Sequence, residues 1–308
     1  MSIDQMWSLS DEYAWTPDDA TLGSGYVAPA CRACMAAGPS PARRTDWFYL
    51  PNGVFFRLTV VFPGRAATSA RKARELLEFT TDAVARVDSM CTRGVRRPRT
   101  LDMTLYLWDG RKTLPARAGS EIGSDHINTG VTIWAYDGSC KVLVYRREDL
   151  EKTIVHELLH CYGIGNWCND DAIIQSLCRD KASDHGLATR LLPTESVVDA
   201  LAIYITSDMQ GVPLDECVDL TRGVLARIVD HFGGRRWRES SNVFCYVALK
   251  LALLRDAQDL FVYPVDAPNE TRFRSAFAEP IPYPPSSKRA RGRSLRMFPS
   301  PTRKVGEG

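Results

Sequence analysis

Residues 130–161 read GVTIWAYDGSCKVLVYRREDLEKTIVHELLHC, from Gly130 to Cys161. Residues 130–136 are β-branched and aromatic, Asp137 and Gly138 form a tight-turn pair, and residues 141–146 are a second strand-like run, so the first half predicts a hairpin. Residues 148–161 then switch to helical spacing, with acids in the first turn and Gly163 just past the end. Inside this helix, His156, Glu157, Leu158, Leu159 and His160 spell HExxH. Four residues advance a helix by about one turn, so both imidazoles project from one face at a separation that one Zn²⁺ can bridge, with Glu157 beside them. Ile154, Val155, Leu158 and Leu159 fill the other faces. Two histidines and a glutamate on a buried helix are costly unless paired or metal-bound.

Working outward, residues 54–62 and 101–108 read as strands separated by a helical stripe over 67–90. After a Cys- and Asp-rich loop (166–192), residues 194–208, 214–232 and 241–261 read as helices. The expectation is therefore an α+β chain: a partly ordered extension over 1–45, a lobe over 46–165 holding a mixed sheet and the HExxH helix, and a mainly helical lobe over 166–264. A Pro-rich and then basic tail over 265–308 is expected to be disordered.

Composition sets the remaining bounds. With 308 residues, 44% apolar, 25% charged and 9% aromatic, the chain is neither collagen, coiled coil nor wholly disordered. No apolar run approaches the roughly 20 residues that span a bilayer, and the first residues, with Asp4, Asp11 and Glu12, lack a signal-peptide core. The net charge of +2 divides into about +6 over 288–308, where Lys288, Arg289, Arg291, Arg293, Arg296, Arg303 and Lys304 face Glu307, and about −4 elsewhere. A mildly acidic body argues against a nucleic-acid-binding domain, leaves such contacts to the tail, and makes 288–293 a candidate nuclear-import signal. Nine cysteines, an odd number, predict reduced thiols and an intracellular setting, cytoplasmic or nuclear. Cys31 and Cys34 form a CxxC with no second pair, and read as loop cysteines rather than half of a zinc site.

A catalytic zinc needs a third protein ligand and an open position. The extended HExxHxxGxxH pattern would place a histidine at 166, where this chain has Asn166. Glu195, at a helix start after Pro193, is the better candidate, with Asp184, His185 and Cys178 as rivals. Asp199, one turn beyond Glu195, is placed to accept the second ring N–H of a ligand histidine. For a group facing the substrate carbonyl oxygen, His231 and Tyr204 are candidates, and His126 has no identifiable partner.

HExxH on one helix followed by ExxxD on another resembles the gluzincin branch of the zinc metallopeptidases. That resemblance implies a zincin-like fold, with Zn²⁺ held by His156, His160 and Glu195, Glu157 as general base, Asp199 behind a ligand, and a peptide or protein as substrate. It also implies that the strand over 130–136 is an edge strand that binds extended peptides. Residues 145–157 are, in addition, similar to HExxH proteins of large DNA viruses. The expected activity is that of an endopeptidase. A catalytically inactive zincin-fold binding protein, such as a nuclear or viral interaction factor, is the alternative, and hydrolysis of a non-peptide amide is a third reading.

Overall fold

The computed structural model describes residues 27, 31–33, 35, 42–50, 52–62, 69–91, 97–187, 191–233, 236–261, 270–281 and 294–299. The tail signal over 288–293, Cys34 and most of the expected N-terminal extension lie outside the described residues.

The chain is α+β around a mixed five-stranded sheet ordered β1-β2-β3-β5-β4. Strands β1 (Ala42–Tyr49), β2 (Phe55–Phe62), β3 (Thr100–Tyr106), β4 (Gly130–Trp134) and β5 (Ser139–Val144) occur in that chain order. β2, β3 and β5 run parallel, while β1 and β4 are antiparallel at the two edges. A parallel neighbour needs a crossover, and helix α1 (Ser69–Ser89) provides it between β2 and β3. Antiparallel β4 and β5 need only a turn, and Gly138, at φ 85°, closes it while Asp137 Oδ1 accepts from Ser139 N at 2.8 Å.

The short α2 (Ser124–Ile127) precedes β4, and β5 runs into α3 (Leu150–Cys161), the HExxH helix. Ile154, Val155, Leu158 and Leu159 of α3 are fully buried, as the apolar spacing requires. One cluster of buried side chains runs from Leu50 to Phe298. Within it α3 packs on the sheet, on α1 and on α6 (Pro193–Gln210), and α6 in turn meets α7 (Leu214–Phe232). No helix of the described residues is long and apolar enough to cross a membrane.

Several expectations are corrected. Strand β1 begins inside the expected N-terminal extension; Trp47, Phe48 and Tyr49 are all aromatic, so the apolar and polar alternation that marks a half-buried strand is absent. The expected loop over 166–192 folds into α4 (Trp167–Asp170) and α5 (Ala172–Ser183). Asp171 caps α5 by accepting from Ile173 N and Ile174 N, and the buried stripe Ile174, Cys178 and Ala182 is too weakly apolar to stand out.

The expected helix over 241–261 is interrupted: a π-helical turn, Cys245–Leu249, leads into α8 (Lys250–Arg255) and α9 (Ala257–Leu260). The tail expected to bury nothing instead forms α10 (Glu270–Ala278), whose Phe273 and Phe277 are buried, Phe273 beside Trp167 and Phe261. Residues 294–299 of that tail also return to the core, with Leu295, Met297 and Phe298 buried. Reduced thiols are likewise corrected for one pair, since Cys140 on β5 and Cys161 at the end of α3 form a disulfide. It joins two adjacent elements whose packing brings the Cα atoms to 5.9 Å, whereas Cys168, Cys178, Cys217 and Cys245 are free and buried.

Candidate metal centre

Three side chains from two helices meet at one point. His156 Nε2 and His160 Nε2, one turn apart on α3, are 3.2 Å from each other, and Glu195 Oε2, in the first turn of α6, is 3.4 Å from each. The chain leaving α3 reverses through Gly163 and Gly165, at φ 67° and 81°, which a side chain would disfavour, and α6 later packs back on that reversal. The Thr194 hydroxyl then donates to Gly165 O at 2.9 Å, pinning the first turn of α6 against that reversal. Pro193 in the same turn lacks an N–H that would have been unpaired there in any case.

The triangle fits a metal. Tetrahedral Zn²⁺ with Zn–N and Zn–O bonds of about 2.0–2.2 Å puts neighbouring ligand atoms about 3.3–3.6 Å apart, and the edges here are 3.2, 3.4 and 3.4 Å. Glu195 Oε2 is buried without a conventional hydrogen bond, the state expected of an oxygen shaped for a cation. Among the described residues, His156, His160 and Glu195 are the only group of three or more metal-ligating side chains this close together.

Behind the triangle lies a buried charge network. His156 Nδ1 donates to Asp199 Oδ1 at 3.0 Å, which leaves Nε2 unprotonated toward the site in the neutral ring. Asp199 also pairs with the ammonium of Lys152 on α3 and with that of Lys250, at 2.6 Å, on α8. Burial alone would raise the Asp199 carboxyl, but the two lysines and His156 hold it well below the usual carboxylate range. Nearby, Lys112 pairs with Asp149, which precedes α3.

The electrostatics of the metal-free protein favour a proton where the cation would sit. Burial opposes a charged His156, yet its hydrogen bond to Asp199 and the nearby Glu195 carboxylate win and lift it to about 9. A ligand imidazole must be neutral, so metal uptake below that pH displaces one proton. Affinity for a divalent cation held by this triad is therefore expected to rise about tenfold per pH unit from pH 7 to about 9 and then level off. Dissociation constants at pH 7, 8 and 9.5 check this, and equal values at pH 7 and 9.5 would exclude it.

Glu157 stands beside the triangle, held from the edge strand. Thr132 Oγ1 on β4 lies 2.7 Å from Glu157 Oε2 and 3.1 Å from Glu157 O. Gly130 makes room for it, since a Cβ at 130 would fall 2.5 Å from Glu157 Oε1 and 2.8 Å from its Cγ. Trp134 Nε1 donates to His160 O at 3.2 Å. The three even positions of β4 thus face α3, while residues 129, 131, 133 and 135 turn their main chain toward β5, as the bonds Tyr145 N to Thr129 O and Ala135 N to Ser139 O show. The main-chain groups of Gly130, Thr132 and Trp134 therefore point to the free edge. That edge opens on a cleft of about 300 Å³ whose lining includes the triangle, Glu157, Trp134, Asn166, Leu192, Asn242 and Tyr246.

Sequence reasoning did not find Tyr246. It sits in the π-helical turn with its ring 5.9 Å from that of His156. Burial, then the Glu195, Glu157 and Asp199 carboxylates, push its phenol well above the ordinary value, so it stays a donor. A π-turn has no sequence signature, although such turns are frequent at functional sites. Lys152, Lys250, Thr132 and Gly130 were also missed.

His231 is not brought to the cluster: its Nε2 is 2.9 Å from Ser120 O. The C-terminal end of α7 is occupied by packing against the loop before α2, so its helix direction carries His231 elsewhere. Tyr204 packs on Phe261, His126 accepts from Gly123 N, and His185 packs between Trp237 and Phe244. Cys178 and Asp184, at the buried face and the end of α5, are not members of the triad either. Asn166 lines the cleft without joining the triad. Compared with protein-family models, curated proteins and solved structures, the chain matches none.

Proposed function

We propose that the protein is a zinc-dependent peptidase of zincin type, cleaving within an extended chain. The observation that carries this reading is the 3.2, 3.4 and 3.4 Å triangle of two imidazoles and a carboxylate, with a second carboxylate, Glu157, beside it at a free strand edge. His156, His160 and Glu195 would hold the ion. Bound there, zinc supplies Lewis-acid polarisation of a carbonyl and lowers the pKa of water to about 7.

The chain's own residues do the rest. An extended peptide adds to the edge through the main-chain groups of Gly130, Thr132 and Trp134, which places successive carbonyls along the line of the triangle. Glu157 takes the proton from the attacking water and passes it to the leaving amine. Thr132 holds one Glu157 oxygen at 2.7 Å, which leaves the other free for the water. The Tyr246 hydroxyl, kept protonated by burial and the surrounding carboxylates, would turn from Glu195 to donate to the carbonyl oxygen as negative charge develops. Asp199 fixes the His156 ring so that Nε2 faces the ion.

Glu157→Gln tests the mechanism, because the amide keeps the shape and loses the base. Zinc content is expected to stay near one per chain while chelator-sensitive cleavage of a peptide library falls by about 10²–10⁴-fold. Undiminished cleavage by a folded Gln variant would sink the mechanism. Gly130→Ala makes a second and subtler test. The backbone at 130 accepts alanine, but the new methyl must displace Glu157. Cleavage is expected to fall at least tenfold with zinc retained, and an unchanged rate would show that the Glu157 position does not matter.

A further inference from the structure

We propose that residues 294–298 are a positioning strap for the metal centre, acting through Met297. The strap is tied along its whole length. Ser294 bridges Thr113 and its carbonyl accepts from Arg227 Nε at 2.7 Å, Leu295 N donates to Lys112 O at 2.9 Å, and Met297 N and Phe298 N donate to the two Asp149 oxygens at 3.1 and 3.0 Å. Asp149, in the left-handed region at φ 56°, does not cap α3 with its side chain; its carboxylate serves the strap and Lys112 instead. Leu295, Met297 and Phe298 are 0%, 2% and 3% exposed.

Met297 then touches the machinery. Its Sδ is 3.0 Å from Lys250 Nζ, whose strong partner is Asp199 at 2.6 Å, and Asp199 holds His156 Nδ1. Met297 also lines a small polar pocket of about 20 Å³ shared with Lys152, His156, Glu157 and Asp199, room for about one water. A thioether is a weak acceptor that competes little for the ammonium, so Met297 shields the lysine–aspartate pair from bulk water without drawing Lys250 away. With the strap gone, water reaches the floor of the site, the pairs that hold Asp199 weaken, and the His156 ring loses its fixed orientation.

The strap's role rests on the zinc reading of the triad, and two readouts on full-length protein separate the two ideas. Zinc affinity, by competition with a chromophoric chelator, and hydrogen exchange of the α3 amides in metal-free protein are measured for Met297→Ala and Met297→Leu. The Ala variant is expected to bind zinc about tenfold more weakly and to exchange α3 faster, with both restored by Leu, which refills the volume. Should the Ala variant not fold, Met297→Val is read on the same two scales. Wild-type zinc affinity in the folded truncation variant overturns the strap, even if its Tm is lower, because that pattern is packing alone. If wild-type protein takes up no zinc, the peptidase reading fails, and α3 exchange alone then decides the strap, with unchanged exchange overturning it.

Discussion

Asp199→Ala is expected to cost about 3–5 kcal/mol, on the order of 10 °C in Tm. The carboxylate is fully buried and serves Lys152, Lys250 and His156 at once. Removing it strands two ammonium groups where water cannot reach them, and that desolvation dominates any loss of packing. The triple variant Asp199→Leu, Lys152→Met, Lys250→Met removes the charges together and is expected to regain most of the stability, since apolar replacements of buried ion pairs are often neutral. It should nevertheless bind zinc about 10- to 100-fold more weakly, because His156 has lost the acceptor on Nδ1. Thermal unfolding of the metal-free variants checks the first claim. An Asp199→Ala protein with wild-type Tm would mean that the lysines find other partners.

Glu195→Ala carries the other large effect. The variant removes one vertex of the triangle, and the loss in zinc affinity is expected to exceed the about 10- to 100-fold typical of an outer partner. Elemental analysis of purified protein should fall from near one zinc per chain toward none, with Asp184→Ala unchanged. Glu195 differs from Asp199 in what it holds: the two histidines and Tyr246, not the lysines. Burial raises its carboxyl, but His160 and His156 pull it far below the ordinary range in the metal-free protein, so the carboxylate is charged and ready at any working pH. Its loss is therefore expected to spare folding far more than loss of Asp199. Zinc retained at wild-type stoichiometry in Glu195→Ala would point to a different third ligand.

The two carboxylates sit one turn apart on α6, and this spacing was legible before any coordinates, as was the HExxH spacing on α3. Strands β2, β3, β4 and β5 and helices α1, α3, α6 and α7 fall where local periodicity put them. The misses share a cause. β1 has aromatics on both faces, α5 buries a cysteine and an alanine, and α10 buries two phenylalanines inside a Pro-rich and basic stretch, so the local pattern pointed elsewhere. His231 was a reasonable type of residue on a helix end, but its direction depends on how α7 packs, which no local pattern encodes.

What the sequence alone determined is what repeats within a turn or two of backbone: the histidine pair, the general-base candidate between them, the partner helix with Glu195 and Asp199, and the hairpin ahead of them. What only the tertiary structure decided is where distant groups converge. Lys250 meets Asp199 across 51 residues, Met297 meets Asp149 across 148, and Tyr246 enters the cleft from a π-helical turn. The physical reason is that a helix or strand period is enforced by each residue's own neighbours, whereas a buried charge needs a partner only once the chain has closed around it. From the sequence those lysines and that methionine look like ordinary residues. Only in the folded chain, with water excluded, do they hold the histidine in place.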